Sequence, residues 1–248
     1  MKKILAIFLI ALFAFAPAAK KKIKVWMIGD STMCLYEPIR SPLTGWGMPF
    51  AGFFDSTVVI KNMARGGRST RTFISENRWQ PVADSLQEGD YVLIQFGHND
   101  EAKEPQYQDR YTPPEDYRTN LIRFITETKA KNASPVLITP VSRRNFEKDG
   151  KIKETHQVYS DIVREVGKQQ NVPVIDLDEM SRALFQKYGP EDSKLFFNDI
   201  DAGVNPHYPD GIHDNTHFNE MGARRLAELV LGEIKKQQLE LADRIVKK

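Results

Sequence analysis

Residues 26–34 read Trp-Met-Ile-Gly-Asp-Ser-Thr-Met-Cys, so Ser31 follows an apolar run directly, behind a glycine and an aspartate. A serine hydroxyl becomes a nucleophile when a base takes its proton, and the usual base is a histidine held in one tautomer by a carboxylate. The chain has five histidines. His156 falls inside a charged helical pattern and is expected at the solvated surface. Near the C-terminus the stretch from His207 to Leu229 carries His207, His213 and His217 and two overlapping Asp-x-x-His pairs, Asp210 with His213 and Asp214 with His217. His217 stands immediately before a helical apolar face made by Phe218, Met221, Leu226 and Leu229, which Asn219 or Thr216 can start. His213 lies further out in the loop. A base must be held rigidly, so Asp214 and His217, three residues apart on one side of a tight loop, are the favoured pair, with Asp210 and His213 as the alternative.

Attack on an ester carbonyl also needs donors for the oxyanion that forms. Two segments offer them. In Asn62-Met-Ala-Arg-Gly-Gly-Arg68 the Gly66-Gly67 pair lets bare backbone N–H groups approach a ligand, and in Gln95-Phe-Gly-His-Asn-Asp100 the Asn99 side chain supplies an amide. Each motif alone has a plainer reading: Ser31 or Asp30 could cap a following helix, Gly-Gly could be a turn, and Asn99-Asp100 an Asx turn. His213 and His217 with Asp210 and Asp214 have the donor types for a divalent ion, but that spacing converges only on a helix, which Pro209 and Gly211 oppose.

The elements that must position these residues follow from the apolar pattern. Lys24 to Gly29, Thr57 to Asn62, Tyr91 to Phe96, Pro135 to Pro140 and Val172 to Leu177 read as buried strands, and Asp116 to Lys131, Lys153 to Gln170 and Asn219 to Lys236 as helices. Strand and helix alternate, which predicts an α/β fold: a parallel sheet with helices on both faces and ligands at the carboxyl ends of the strands. Serine, glycine and asparagine then stand after the first, second and third strands in turn. The polar stretches Glu101 to Glu115 and Glu191 to Asp214 are expected as loops around the site.

Composition bounds the class. At 248 residues the chain is large enough for one full core, and 35 Lys and Arg against 33 Asp and Glu give no basic surface for nucleic acid. Lys2 and Lys3, the apolar run Ile4 to Ala16 and the small residues Ala16-Pro17-Ala18 form a bacterial-type secretory signal over residues 1–18, too short in its apolar part for the roughly 20 residues of a membrane span. Residues 19–248 are expected to form one domain, secreted or periplasmic, with no stable membrane insertion once the signal is removed. The single cysteine, Cys34, has no disulfide partner within the chain and lies too far in to take a lipid at the cleavage site.

The blocks Gly29-Asp-Ser-Thr32, Gly66-Gly-Arg-Ser-Thr-Arg71, Phe96-Gly-His-Asn-Asp100 and Asp214-Asn-Thr-His-Phe218 together resemble the four catalytic blocks of the SGNH (GDSL-type) hydrolase superfamily, and their particular forms resemble its rhamnogalacturonan acetylesterase-like branch. The resemblance runs from Val25 to Leu229. It implies a three-layer α/β/α sandwich with a five-stranded, flavodoxin-like parallel sheet, with Ser31 as nucleophile, His217 as base and Asp214 as its partner. It further implies that Ser31 N–H, Gly67 N–H and the Asn99 side chain form the oxyanion hole, with Gly66 competing for the glycine role. No cofactor or metal is implied. Thr32 replaces the leucine that names the superfamily, and Asn215 stands where many relatives have glycine. The expected activity is removal of acetyl groups from plant cell-wall polysaccharide, with acetylated pectin or rhamnogalacturonan as the substrate, Arg65, Arg68 and His98 as candidate contacts, and Arg65, Arg68 and Arg71 as the arginines able to meet uronate carboxylates of a pectic substrate. Two alternatives stand beside it: a lipolytic or broad-specificity esterase, and a non-catalytic carbohydrate-binding protein on the same fold.

Overall fold

Along the first strand Val25 and Met27 point to one side and Trp26 and Ile28 to the other, and all four are buried, so both faces of the sheet must be covered. The computed structural model describes residues 21–246. Its strands are β1 (Ile23–Gly29), β2 (Val58–Asn62), β3 (Tyr91–Gln95), β4 (Ser134–Ile138) and β5 (Val174–Ile175), all parallel in the order β2-β1-β3-β4-β5. The helices are α1 (Gly47–Phe50), α2 (Thr70–Ser75), α3 (Gln80–Ser85), α4 (Pro114–Lys129), α5 (Gln157–Gln170), α6 (Leu177–Asp192) and α7 (Glu220–Lys236). A second, antiparallel pair joins β6 (Phe197–Ile200) to β7 (Ile212–Phe218).

Val25, Met27, Leu93, Val136 and Ile138 pack with α1, α6 and α7, while Trp26, Ile28, Val92, Ile94 and Leu137 pack with α2 to α5. The result is the expected three-layer α/β/α arrangement. Chain direction across the sheet reverses between β1 and β3, because β2 lies outside β1 and β4 outside β3. That switch opens a crevice at the carboxyl ends of β1 and β3, where the loops carrying Ser31 and Asn99 emerge.

The structure departs from the sequence reading in several places. Only Val174–Ile175 of the expected fifth strand pairs; Leu177 opens α6, because the Asp176 side chain accepts the Glu179 N–H as an N-cap. The helix expected from Lys153 begins at Gln157. No helix directly follows Ser31, so neither Asp30 nor Ser31 is a cap. The stretch expected as one loop from Glu191 to Asp214 contains β6 and the start of β7, which pair across it. The expected signal at residues 1–18 lies outside the described residues. Among the described residues no helix is long and apolar enough to cross a membrane.

Candidate active site

Ser31 sits in a turn fixed from below. Asp30 Oδ1 accepts from Thr32 N–H at 2.9 Å and from Thr32 Oγ1 at 2.8 Å, an Asx turn closed by its own side chain. Thr32 Oγ1 in turn accepts from Gln95 Nε2 at 2.6 Å, and Gln95 Oε1 accepts from Trp46 Nε1. All four side chains are buried, so the threonine that replaces the usual leucine joins a polar network that ties the Ser31 turn to β3. The Ser31 carbonyl is held by Tyr36 Oη at 2.8 Å. Ser31 N–H has no hydrogen-bond partner among the described residues and is free for a ligand.

From the other side of the crevice, His217 Nε2 lies 2.9 Å from Ser31 Oγ, and His217 Nδ1 lies 2.7 Å from Asp214 Oδ2. Asp214 Oδ1 accepts the N–H groups of Thr216 and His217 at 2.7 and 3.0 Å, so one carboxylate oxygen shapes the chain and the other orients the ring. With Nδ1–H donating to Asp214, Nε2 presents its lone pair to the serine hydroxyl. Burial works to raise the Asp214 carboxyl, but the hydrogen bond and charge of His217 and the two backbone N–H donors outweigh it and hold the group below its ordinary value. Asp214 and His217 both lie within β7 rather than in a free loop. Just beyond them Asn219 caps α7: its Oδ1 accepts from Gly222 N–H at 3.0 Å while its Nδ2 donates to Leu195 and Phe197 carbonyls. Gly222 is required there, since a Cβ would fall 1.9 Å from the Phe196 carbonyl oxygen. The expectation that Asn219 starts the helix holds, although Met221 is exposed rather than part of the buried face.

The alternative pair does not form. His213 Nδ1 bonds Asp199 Oδ1 at 2.6 Å across the β6–β7 ladder, and its side chain is 71% exposed. Among the described residues no group of three or more His, Cys, Asp or Glu is gathered as a metal site.

Gly67 and Asn99 reach the same crevice. Gly67 has φ +78°, a left-handed conformation natural to glycine, and its N–H has no partner among the described residues. A Cβ on Gly66 would stand 3.6 Å from Ser31 Cβ, which brings the Gly66-Gly67 turn against the serine. Gly67 lines the crevice and Gly66 does not. Asn99 Nδ2 donates once, to the Arg68 carbonyl at 3.1 Å, and Asn99 Oδ1 accepts from Arg110 Nη1 at 2.9 Å, which leaves one amide hydrogen unused.

The crevice opens into a cleft of about 880 Å³ lined mainly by polar and charged residues, with Tyr107 and Tyr159 among them. The segment Glu101 to Arg110 forms one wall, as expected for its loop, whereas Glu191 to Asp214 contributes no lining residue. Neither Arg65 nor Arg68 lines the cleft: Arg68 is bound to Glu76 at 2.9 Å and to the Gly66 carbonyl, and Arg65 is exposed. Arg71 donates to the Tyr111 carbonyl outside it. The lining cations are Lys103, Arg110 and Arg143, which the sequence offered no signal to select.

His98 lines the cleft but is buried, and burial, followed by the neighbouring His156, Arg143 and His217, pushes its imidazole well below the usual value, so it is neutral near pH 7. His156 corrects the surface expectation: it is 1% exposed, precedes α5, packs its ring 4.3 Å from that of His98 and bonds Glu101 through Nδ1 at 2.9 Å. Arg143 Nη1 donates to Thr216 Oγ1 at 2.6 Å, bracing the strand that carries His217. Cys34 is buried with its thiol pushed up to about 11 by that burial, which leaves it a proton-bearing packing residue.

A hydroxyl at hydrogen-bond distance from an imidazole lone pair, beside unused N–H donors, can attack a carbonyl carbon and stabilise the resulting oxyanion. Residues 27–225 match the sequence profile of the GDSL-like lipase/acylhydrolase family. The chain is 41% identical to the rhamnogalacturonan acetylesterase RhgT of Bacillus subtilis over 227 residues, covering 92% of this chain and 96% of that protein. The crystal structure of Bacillus subtilis YxiM superimposes with a TM-score of 0.75 at 28% identity, covering 89% of this chain and 58% of that one. An acetylxylan esterase of Geobacillus stearothermophilus has the same fold, with a TM-score of 0.59 at 18% identity, 87% of this chain and 95% of that one being covered.

Proposed function

Since this chain belongs to the GDSL-like lipase/acylhydrolase family and is a carboxylic ester hydrolase of the carbohydrate esterase kind, we propose that it removes acetyl groups from acetylated rhamnogalacturonan by an acyl-enzyme mechanism on Ser31, His217 and Asp214. The observation that carries the mechanism is the unbroken chain from Ser31 Oγ through His217 to Asp214, at 2.9 and 2.7 Å. Ser31 Oγ attacks the acetyl carbonyl carbon while His217 Nε2 takes its proton. The tetrahedral oxyanion is met by the N–H groups of Ser31 and Gly67 and the free amide hydrogen of Asn99. Collapse breaks the ester C–O bond, His217 returns the proton to the departing sugar hydroxyl, and acetyl-Ser31 remains. Water then attacks the acyl carbon with His217 again as base, acetate leaves, and the serine regains its proton. Asp214 stays ionised throughout and stabilises the imidazolium that forms twice per turnover.

The substrate reading rests on the likeness to RhgT and on the walls of the cleft. Of the lining side chains only Ala102 and Val158 are aliphatic. Each buried methylene of a longer acyl chain is worth about 0.8 kcal/mol only where apolar surface receives it. The chain therefore turns over p-nitrophenyl acetate with higher kcat/KM than the octanoate and releases acetate faster from acetylated rhamnogalacturonan than from acetylated xylan. Preference for octanoate would identify a lipolytic enzyme, and faster release from xylan would discard the pectic substrate. Residues 1–18 are proposed as the signal that takes the enzyme out of the cytoplasm, checked by the N-terminal sequence of the exported protein.

A further inference from the structure

Among the described residues, one guanidinium without an ion-pair partner stands beside the proposed oxyanion donors. Arg110 is half-buried on the wall that overhangs the cleft. Its guanidinium lies 3.8 Å from the centre of the Tyr107 ring, so the aromatic face fixes the plane and leaves the edge donors pointing sideways. Nη1 is used once, on Asn99 Oδ1, and stands 3.4 Å from where a Gly67 Cβ would be. Among the described residues Arg110 makes no ion pair and its guanidinium donates no other hydrogen bond, leaving most of its five N–H donors unspent.

The other lining charges are placed differently, Glu104 being an exposed carboxylate on the same wall. Arg143 is spent on Thr216 and lies 3.7 Å from Glu101, which also holds His156. Glu154 pairs with Arg182, and Lys103 is exposed above the Tyr111 ring. Arg110 is thus the lining cation whose fork is oriented, partly desolvated and unneutralised. A planar fork of that kind is matched by a carboxylate, bound through two parallel hydrogen bonds.

We propose that Arg110, oriented on Tyr107, is the specificity-determining residue that receives the carboxylate of a uronate in the substrate, next to the acetyl group being removed. The inference rests on the reading of the chain as an acetylesterase of an acidic polysaccharide. It replaces Arg65 and Arg68 as the carboxylate contact, because those side chains are outside the cleft. A neutral sugar leaves the fork solvated and unpaired, so discrimination favours acetylated uronates over acetylated neutral sugars.

The test compares an acetylated galacturonate oligosaccharide with the same compound methyl-esterified, in the wild type, Arg110→Gln and Arg110→Lys. The wild type prefers the free acid by at least tenfold in kcat/KM. In Arg110→Gln, whose amide can still donate to Asn99, that ratio falls at least tenfold, chiefly through KM on the acid, and Arg110→Lys is intermediate because an ammonium keeps charge without the fork. An acid-to-ester ratio unchanged by Arg110→Gln overturns the proposal, as does an equal loss on both substrates, which would mean that Arg110 acts only through Asn99. Inhibition of p-nitrophenyl acetate hydrolysis keeps the two readings separable. If the wild type releases no acetate from the polymer, the polysaccharide reading falls, yet Arg110 is still supported when galacturonate inhibits more strongly than galactose and Arg110→Gln removes the difference. Relief by Arg110→Gln of inhibition by acetate alone, with the galacturonate difference intact, would assign the guanidinium to the released product and overturn the proposal.

Discussion

Replacing Asp214 with asparagine separates the orientation of the base from the architecture around it. The Asp214 Oδ1 position accepts two backbone N–H groups, at 2.7 and 3.0 Å, and an amide oxygen can keep both. The Oδ2 position faces His217 Nδ1 at 2.7 Å, and in Asp214→Asn an NH₂ group points there instead. Two donors cannot face each other, so the imidazole takes the other tautomer and Nε2 carries a proton toward Ser31. It can then no longer accept one. A tautomer change of this kind costs about 10⁴ in kcat, equivalent to about 5 kcal/mol in the barrier. The fold loses far less: a charge-assisted hydrogen bond is worth about 1.5–3 kcal/mol, and the desolvation of the carboxylate is removed with it. Because the folded Asp214 carboxyl titrates below its ordinary 3.8, its stabilising contribution is complete above that value and is lost as pH falls through the lower folded value. The stability difference between wild type and Asp214→Asn therefore closes in strong acid, while the difference in activity at neutral pH remains. Measurement of kcat/KM on p-nitrophenyl acetate beside urea unfolding at pH 7 and pH 3 checks both statements. A folded Asp214→Asn protein within tenfold of wild-type kcat/KM at pH 7 would refute the reasoning.

Ser31→Ala is expected to remove on the order of 10⁴-fold or more of the activity with the urea midpoint almost unchanged, because the network below the turn uses Asp30, Thr32 and Gln95 and not Ser31 Oγ. His217→Ala should match it, and the double variant should lose no more than either single one; additive losses in single-turnover assays would show that the two do not act as a unit. His213→Ala, which breaks only an exposed contact to Asp199, should keep kcat/KM within a few-fold, and a loss comparable to that of His217→Ala would transfer the role of base. Burial pushes the Asp100 carboxyl from 3.8 up to about 7, so stability falls as pH rises from about 4 to about 7, where the unfolded chain gives up its proton first. Asp100→Asn keeps an acceptor for Thr70 N–H and Oγ1 and should flatten that slope, by about 3–4 kcal/mol between pH 4 and pH 8; parallel urea midpoints in the two proteins would contradict it.

The division between sequence and tertiary structure follows the range of the interactions involved. The continuous apolar runs Val25 to Ile28 and Val92 to Ile94 announce strands buried on both faces, because successive side chains point to opposite sides and each must find a core there. Blocks of catalytic type after successive strands point to the carboxyl edge of the sheet, since parallel strands with helical crossovers bring all such loops to one edge. Short apolar runs carry less information: Val172 to Leu177 fits strand or helix, and the Asp176 cap shortens the strand to two residues. Burial of His156 was invisible because its neighbours His98 and Glu101 lie on a loop more than fifty residues away in sequence. Spacing alone left two Asp-x-x-His pairs open; the partner of His213 proved to be Asp199, on a strand that pairs only when the chain between them folds back. The motifs named Ser31, Gly67, Asn99, Asp214 and His217, but only the packed chain gives Arg110 a ring to lie on, an amide to hold and, among the described residues, no ion-pair partner. Tyr107 and Asn99 are close to it in sequence, but Gly67 follows β2, and no local pattern shows which cation of the Glu101 to Arg110 segment turns toward that glycine.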